Sequence, residues 1–157
     1  MALLKKLFLF IGLSSSLIAC PFCSEEVIER QKVYESPEAL AILTYKPAAP
    51  GHMLIIPKRH VERFEGLQAS EIAEMMEMIH KVDSAAKKIY GTSGSFIMEK
   101  NGPEAGQSVP HVHFHYIPCH EGGSAALLAL KILTADLFSP LTEEEMKTIA
   151  SAFQTQF

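Results

Sequence analysis

His111-Val112-His113-Phe114-His115-Tyr116-Ile117 alternates histidine with apolar residues over its first six positions. Side chains along a β-strand point to opposite faces in turn, so the three histidines project from one face, and Val112, Phe114 and Tyr116 from the other, toward a core. At ~3.3 Å per residue, neighbouring histidines stand roughly 6.6 Å apart, close enough for one bound group to meet two of them. Imidazole ordinarily titrates near neutrality, so such a row offers a nucleophilic nitrogen and proton donors at the same pH. That use requires the His113 ring to reach solvent and to face the same way as its neighbours.

Upstream of the row lies Gly102-Pro103-Glu104-Ala105-Gly106-Gln107-Ser108, whose glycines let backbone N–H groups turn toward an anion. Gln107 adds an amide donor and Ser108 a hydroxyl, neutral groups able to hold phosphate oxygens. The turn connects two expected strands, Ser95 to Lys100 and Val109 to Ile117, as an antiparallel hairpin. An earlier hairpin is expected from Lys32 to Glu35 and Ala39 to Thr44 about Ser36-Pro37-Glu38, followed by a buried strand from His52 to Pro57.

From Glu71 to Tyr90, apolar residues at Ile72, Met75, Met76, Ile79, Val82, Ala86 and Ile89 make one helical stripe. Glu71 and Glu74 near its start, Lys87 and Lys88 near its end and Gly91 beyond complement the dipole and the stop. Thr142 with Glu145 forms a capping box for a short C-terminal helix carrying Met146, Ile149 and Phe153. Ser124 to Phe138 is apolar without a clear period. These elements describe an α+β fold: an antiparallel sheet with one long helix and a C-terminal helix.

The length of 157 residues suits one domain, and 48% apolar with 20% charged residues excludes disorder and coiled coil. Fourteen Lys plus Arg against eighteen Asp plus Glu leave a net charge of −4, so no overall positive field recruits nucleic acid. Any phosphate binding must be local.

The histidine run, its Gly-Gln-Ser approach, Lys46-Pro47 with Pro50-Gly51-His52, and His60-Val61-Glu62-Arg63-Phe64 together resemble the histidine triad family of nucleotide hydrolases and transferases. Within it they are most similar to the fragile-histidine-triad branch of dinucleoside polyphosphate hydrolases, over roughly Tyr34 to Pro118. The resemblance implies about five strands, a homodimer and a nucleotide substrate, either a dinucleoside polyphosphate or a nucleoside phosphoramidate. It implies that His113 attacks the α-phosphorus and carries a nucleotidyl group until water releases it. By the same resemblance, His115 would hold the α-phosphate, Gln107 and Ser108 would position its oxygens and the leaving group, and His111 would complete the row, with no catalytic cofactor. Two positions depart from the family pattern. Thr44 stands where Asp or Asn commonly meets the ribose, and Lys100, with Asn101 next to it, where Asn or Gln contacts phosphate; these three and Ser108 are the candidate substrate-binding positions.

Cys20-Pro21-Phe22-Cys23 supplies two thiolates at a spacing common in structural zinc sites. By resemblance to bacterial triad proteins, His60 and His111 complete that site. Ahead of it, two lysines and the thirteen apolar or small residues from Leu7 to Ala19 have the layout of an export leader, too short to span a bilayer. Leu17-Ile18-Ala19-Cys20 also resembles a lipobox, which would anchor the chain to a membrane through Cys20 and exclude that residue from zinc binding. Export, anchoring and a cytoplasmic location all stay open. The expected division is 1–19 as a candidate leader segment, 20–120 as the triad domain and 121–157 as a C-terminal extension with a short helix. His52, His80 and His120 are assigned structural or exposed roles, and Lys58, Arg59 and Arg63 form a basic cluster. Two rivals to the hydrolase remain: a nucleotide- or zinc-binding regulatory module with little turnover, and a three-histidine metalloenzyme, which lacks a nearby carboxylate ligand.

Overall fold

The computed structural model describes residues 20–157. The leader and the first part of the lipobox lie outside the described residues. Five strands form a single antiparallel sheet: β1 (Lys32–Glu35), β2 (Ala39–Leu43), β3 (Met53–Pro57), β4 (Gly94–Glu99) and β5 (Phe114–Cys119), in the order β1-β2-β3-β5-β4. Four helices accompany it: α1 (Glu25–Gln31), α2 (Ala69–Tyr90), α3 (Ala125–Leu133) and α4 (Glu143–Gln154). The expected α+β architecture and both antiparallel hairpins are present. Among the described residues no helix is long and apolar enough to cross a membrane.

At β2 and β3 the sheet is apolar on both faces because both are covered. Val33, Ala39, Ala41, Leu43, Met53, Ile55, Val112 and Tyr116 meet α2 and α4 in one cluster. Leu40, Ile42, Leu54 and Ile56 face the other way and meet Phe22, Cys20, Ile28 and Val109. Alternation along β2 and β3 therefore sorts residues between two cores rather than between core and water, and both strands are buried throughout.

Helix α2 starts at Ala69, two residues before the expected position, because the Glu71 carboxylate reaches back to accept the Gln68 backbone N–H at 2.7 Å. Glu71 is itself buried and takes a two-pronged contact from Arg59, at 2.9 and 2.7 Å, which holds its carboxyl below the usual range. The stripe is also rotated slightly from expectation: Met75, Met78, Ile79, Val82 and Ala86 are buried, whereas Met76 is 40% exposed. At the C-terminus of α2, Gly91 takes a left-handed conformation with φ 64° and stops the helix as expected. The Thr142–Glu145 capping box opens α4, which buries Met146 and Phe153. Helix α3 occupies the stretch the pattern left unplaced; it is capped by Ser124 and buries none of its residues.

The second strand of the later hairpin begins at Phe114, not Val109. Two features end the ladder early. Pro57 of β3 has no N–H to give, and the Val112 N–H is taken by the Val61 carbonyl at 2.7 Å. His111 and His113 therefore precede the strand, and only His115 lies within it.

Candidate active site

His115 sits opposite Leu54 of β3 and Met98 of β4, on the face that carries the smaller core. Although His113 lies before the strand, its ring stays with that of His115, centroids 5.0 Å apart at 63°. The His113 Nδ1 lies 2.7 Å from the His111 carbonyl oxygen. A carbonyl only accepts, so Nδ1 carries the ring proton and Nε2 the lone pair. Nε2 has no hydrogen-bond partner among the described residues.

Access is narrower than the sequence expectation required. His113 is only 5% exposed, with the Phe22 ring edge-on at 5.3 Å. Phe22 also packs against His111, centroids 5.8 Å apart. Burial lowers the pKa of His113 and, together with His52, His113 and Lys100, drives that of His115 down to about 3. Both rings are neutral at physiological pH, as a nucleophile and a hydrogen-bond donor require.

His52, assigned a structural role from sequence, belongs to the site. The Ala48 N–H donates to its Nδ1 at 3.1 Å, which leaves the proton on Nε2, and Nε2 lies 2.9 Å from His115 Nδ1. That chain fixes the His115 tautomer: Nδ1 accepts, and Nε2–H is left to donate outward. Burial holds His52 down to about 4, so it stays neutral. A histidine directly after Gly51 at a strand entry gave no local sign of this partner 63 positions away.

The loop before the row is built differently from expectation. Gln107 spends its amide internally, Oε1 accepting from the Gly102 N–H and Nε2 donating to the Glu62 carbonyl, both at 2.8 Å. Asn101 is likewise engaged, accepting from the Phe64 N–H at 3.0 Å and donating to Glu65 at 2.9 Å. Both side chains tie the loop to the 62–65 segment. Ser108 is exposed, and the Thr44 N–H donates to the His52 carbonyl at 3.3 Å. Lys100 lies half-buried along Gly106. The basic cluster is dispersed: Lys58 pairs with Glu35 at 2.6 Å, Arg59 with Glu71, and Arg63 covers Gly102. A cavity of about 380 Å³ lined by Pro50, Pro118, His120 and Leu128 lies at the other end of β5, away from the row.

Behind the row, Cys20, Cys23, His60 and His111 bring four donor atoms within 4.8 Å of one another, a group able to hold a metal ion. Cys20 Sγ lies 3.4 Å and Cys23 Sγ 3.6 Å from His111 Nδ1, and Cys23 Sγ 3.4 Å from His60 Nδ1. His111 Nε2 donates to the Pro57 carbonyl at 2.9 Å, which leaves Nδ1 unprotonated and aimed at the thiols.

The family model described as HIT domain matches residues 25–122. An uncharacterized HIT-like protein of Methanocaldococcus jannaschii is 36% identical over 126 residues, 79% of this chain and 97% of that protein. The bis(5'-nucleosyl)-tetraphosphatase (asymmetrical) of Schizosaccharomyces pombe is 37% identical over 97 residues, 62% of this chain but only 53% of that protein. Among solved structures, a hypothetical histidine triad nucleotide-binding protein from Sulfolobus tokodaii superposes with a TM-score of 0.70 at 26% identity, covering 87% of this chain and 91% of that one. A domain match across most of the chain, with a relative collinear over nearly its full length, makes this protein a member of the HIT domain family.

Proposed function

We propose that the protein hydrolyses a nucleotide at its α-phosphate through a covalent nucleotidyl group on His113. One observation carries this reading: the His111 carbonyl holds the Nδ1 proton of His113, leaving Nε2 as a lone pair beside the outward Nε2–H of His115. His113 Nε2 attacks the α-phosphorus, and the bond to the leaving group breaks with its electron pair. Water then attacks the same phosphorus, the P–N bond breaks, and Nε2 regains its lone pair as the nucleotide departs. Dividing one displacement into two suits a nitrogen that has no hydroxyl proton to lose. His115 donates to an α-phosphate oxygen, and the exposed Ser108 is placed to meet the leaving group. Gln107 and Asn101 hold the loop in place, and each can reach phosphate only by giving up one of its present bonds. The tetraphosphatase activity named for the S. pombe relative supports a dinucleoside polyphosphate as substrate.

The Cys20, Cys23, His60 and His111 group suits zinc. Tetrahedral bonds of ~2.3 Å to sulfur and ~2.0 Å to nitrogen set those atoms about 3.5 Å apart. The observed sulfur–nitrogen separations of 3.4 to 3.6 Å fit. Zinc there would cross-link the N-terminal turn to the start of the row and take no part in the chemistry. A homodimer and export by residues 1–19 complete the reading; if Cys20 binds zinc, it is not acylated.

The deciding experiment incubates the protein with a nucleotide labelled at the α-phosphate, denatures it without acid and maps the label. Label on His113, absent from a folded His113→Asn variant that has lost turnover, supports the reading; full turnover by that variant refutes it. The near-burial of His113 favours one alternative, a nucleotide- or zinc-binding regulatory module. Stoichiometric nucleotide binding without label or turnover would establish that instead.

A further inference from the structure

We infer that Lys100 makes the site selective for polyanionic leaving groups, so that it cleaves phosphoanhydrides in preference to phosphoramidates. The inference rests on the nucleotidyl-histidine reading and names the substrate class of that site.

Strands β4 and β5 pair from Gly94 with Cys119 through Met98 with His115 to Glu99 with Phe114. Neither Lys100 nor His113 is itself paired, but Met98 lies opposite His115 and so shares its face; Lys100, two residues beyond Met98, continues that alternation, whereas Glu99 is paired with Phe114 on the other face. The lysine stem packs along Gly106, its Nζ 4.0 Å from where a Cβ on that glycine would stand, which directs the ammonium over the loop leading to the row. Its positive charge acts on both His113 and His115. Among the described residues Lys100 makes no ion pair, whereas Lys58, Arg59 and Lys87 are each matched by a carboxylate. The neighbouring acid Glu65 is engaged by Asn101.

An ammonium on that side of the sheet stabilises whatever negative charge gathers at the row. When His113 Nε2 displaces a nucleoside polyphosphate, the P–O electron pair leaves on an oxygen already attached to further ionised phosphates. A nearby point charge acts most strongly on that transition state. When it displaces an amine, the leaving nitrogen takes up a solvent proton and departs uncharged. Lys100 then meets only the α-phosphate, whose charge is common to both substrates. The difference between the two reactions is the charge on the leaving group, and Lys100 is the residue placed to distinguish them.

The test measures kcat/KM of the full chain for diadenosine tetraphosphate and for adenosine phosphoramidate, in wild type, Lys100→Gln and Lys100→Arg. Lys100→Gln should lower the ratio of anhydride to amidate turnover about tenfold or more, and Lys100→Arg should restore most of it. In wild type, added salt should depress anhydride turnover more steeply than amidate turnover, a readout that needs no variant. Equal losses on both substrates, or equal salt dependence in wild type, overturn the inference and leave the nucleotidyl-histidine reading standing. A wild-type protein that turns over neither substrate overturns that reading and this inference with it.

Discussion

His52 Nε2 stands 2.9 Å from His115 Nδ1, joining a residue at the entry of β3 to one in the middle of the sheet. Because the Ala48 N–H already occupies His52 Nδ1, the proton between the rings belongs to His52, and His115 must present its own proton outward. In the proposed chemistry His52 is a positioning residue. His52→Ala should lower kcat about tenfold or more with a smaller change in KM, because the tautomer of His115 is no longer fixed. His52→Gln, which keeps a donor and an acceptor on one side chain, should recover part of that loss. Equal kcat in all three proteins would show that the pair does no more than pack.

The same pair makes stability depend on pH. Burial holds His52 at about 4, and burial with neighbouring charges holds His115 at about 3, whereas both titrate near 6.5 in the unfolded chain. Below that value the unfolded chain binds more protons, so stability is full above about pH 6.5 and falls as the pH drops toward the folded values. Each unit of lowering is worth about 1.4 kcal/mol per histidine, as an upper bound for two coupled rings. Urea unfolding between pH 7.5 and 4.5 should show a flat region and then a steep loss, shallower in His52→Gln. Constant stability down to pH 5 would contradict the burial of these rings as neutral species.

The metal group makes a separate prediction. Protein purified without chelator should carry stoichiometric zinc by elemental analysis, and Cys23→Ser and His60→Ala should each lower it well below stoichiometric. Removing the ion should lower the melting temperature, because the N-terminal turn loses its link to His111. Phe22 lies within that turn and its edge meets the His113 ring, so the His113 environment should also shift in NMR spectra. Zinc that survives in both variants would place the ion elsewhere.

What the sequence made legible was local. The alternation of Val112, Phe114 and Tyr116 against the histidines, the stripe on α2 and the Thr142–Glu145 box each report on residues a few positions apart, and each is seen in the fold. What it missed depends on distant partners. The late start of β5 is set by Pro57 and the Val61 carbonyl, and the roles of His52, Asn101 and Gln107 by the residues they meet across the fold. Helix α3 escaped because Ala125 to Leu133 is apolar around nearly its whole circumference, leaving no periodic contrast to read.

Gly102 ties the loop to the row and is open to a direct test. Its φ of 102° and ψ of 160° fall in a region that only glycine adopts readily. Its N–H donates to Gln107 Oε1, and its carbonyl accepts from the Ala105 and Gln107 N–H groups, both at 3.0 Å. In Gly102→Ala the new Cβ would overlap the Arg63 guanidinium, a contact that the exposed arginine relieves by swinging away. The backbone strain is not relieved so cheaply and should cost about 1–3 kcal/mol or force the turn to change. Either outcome weakens the Gln107 bonds that shape the approach to His113, so turnover should fall together with stability. Gly122→Ala is the control: Gly122 has φ 73°, nothing lies within 4 Å of its added Cβ, and it sits beyond the far end of β5. That variant should lose about 1 kcal/mol and keep its turnover. If Gly102→Ala retains both stability and turnover, the loop does not depend on the glycine conformation described here.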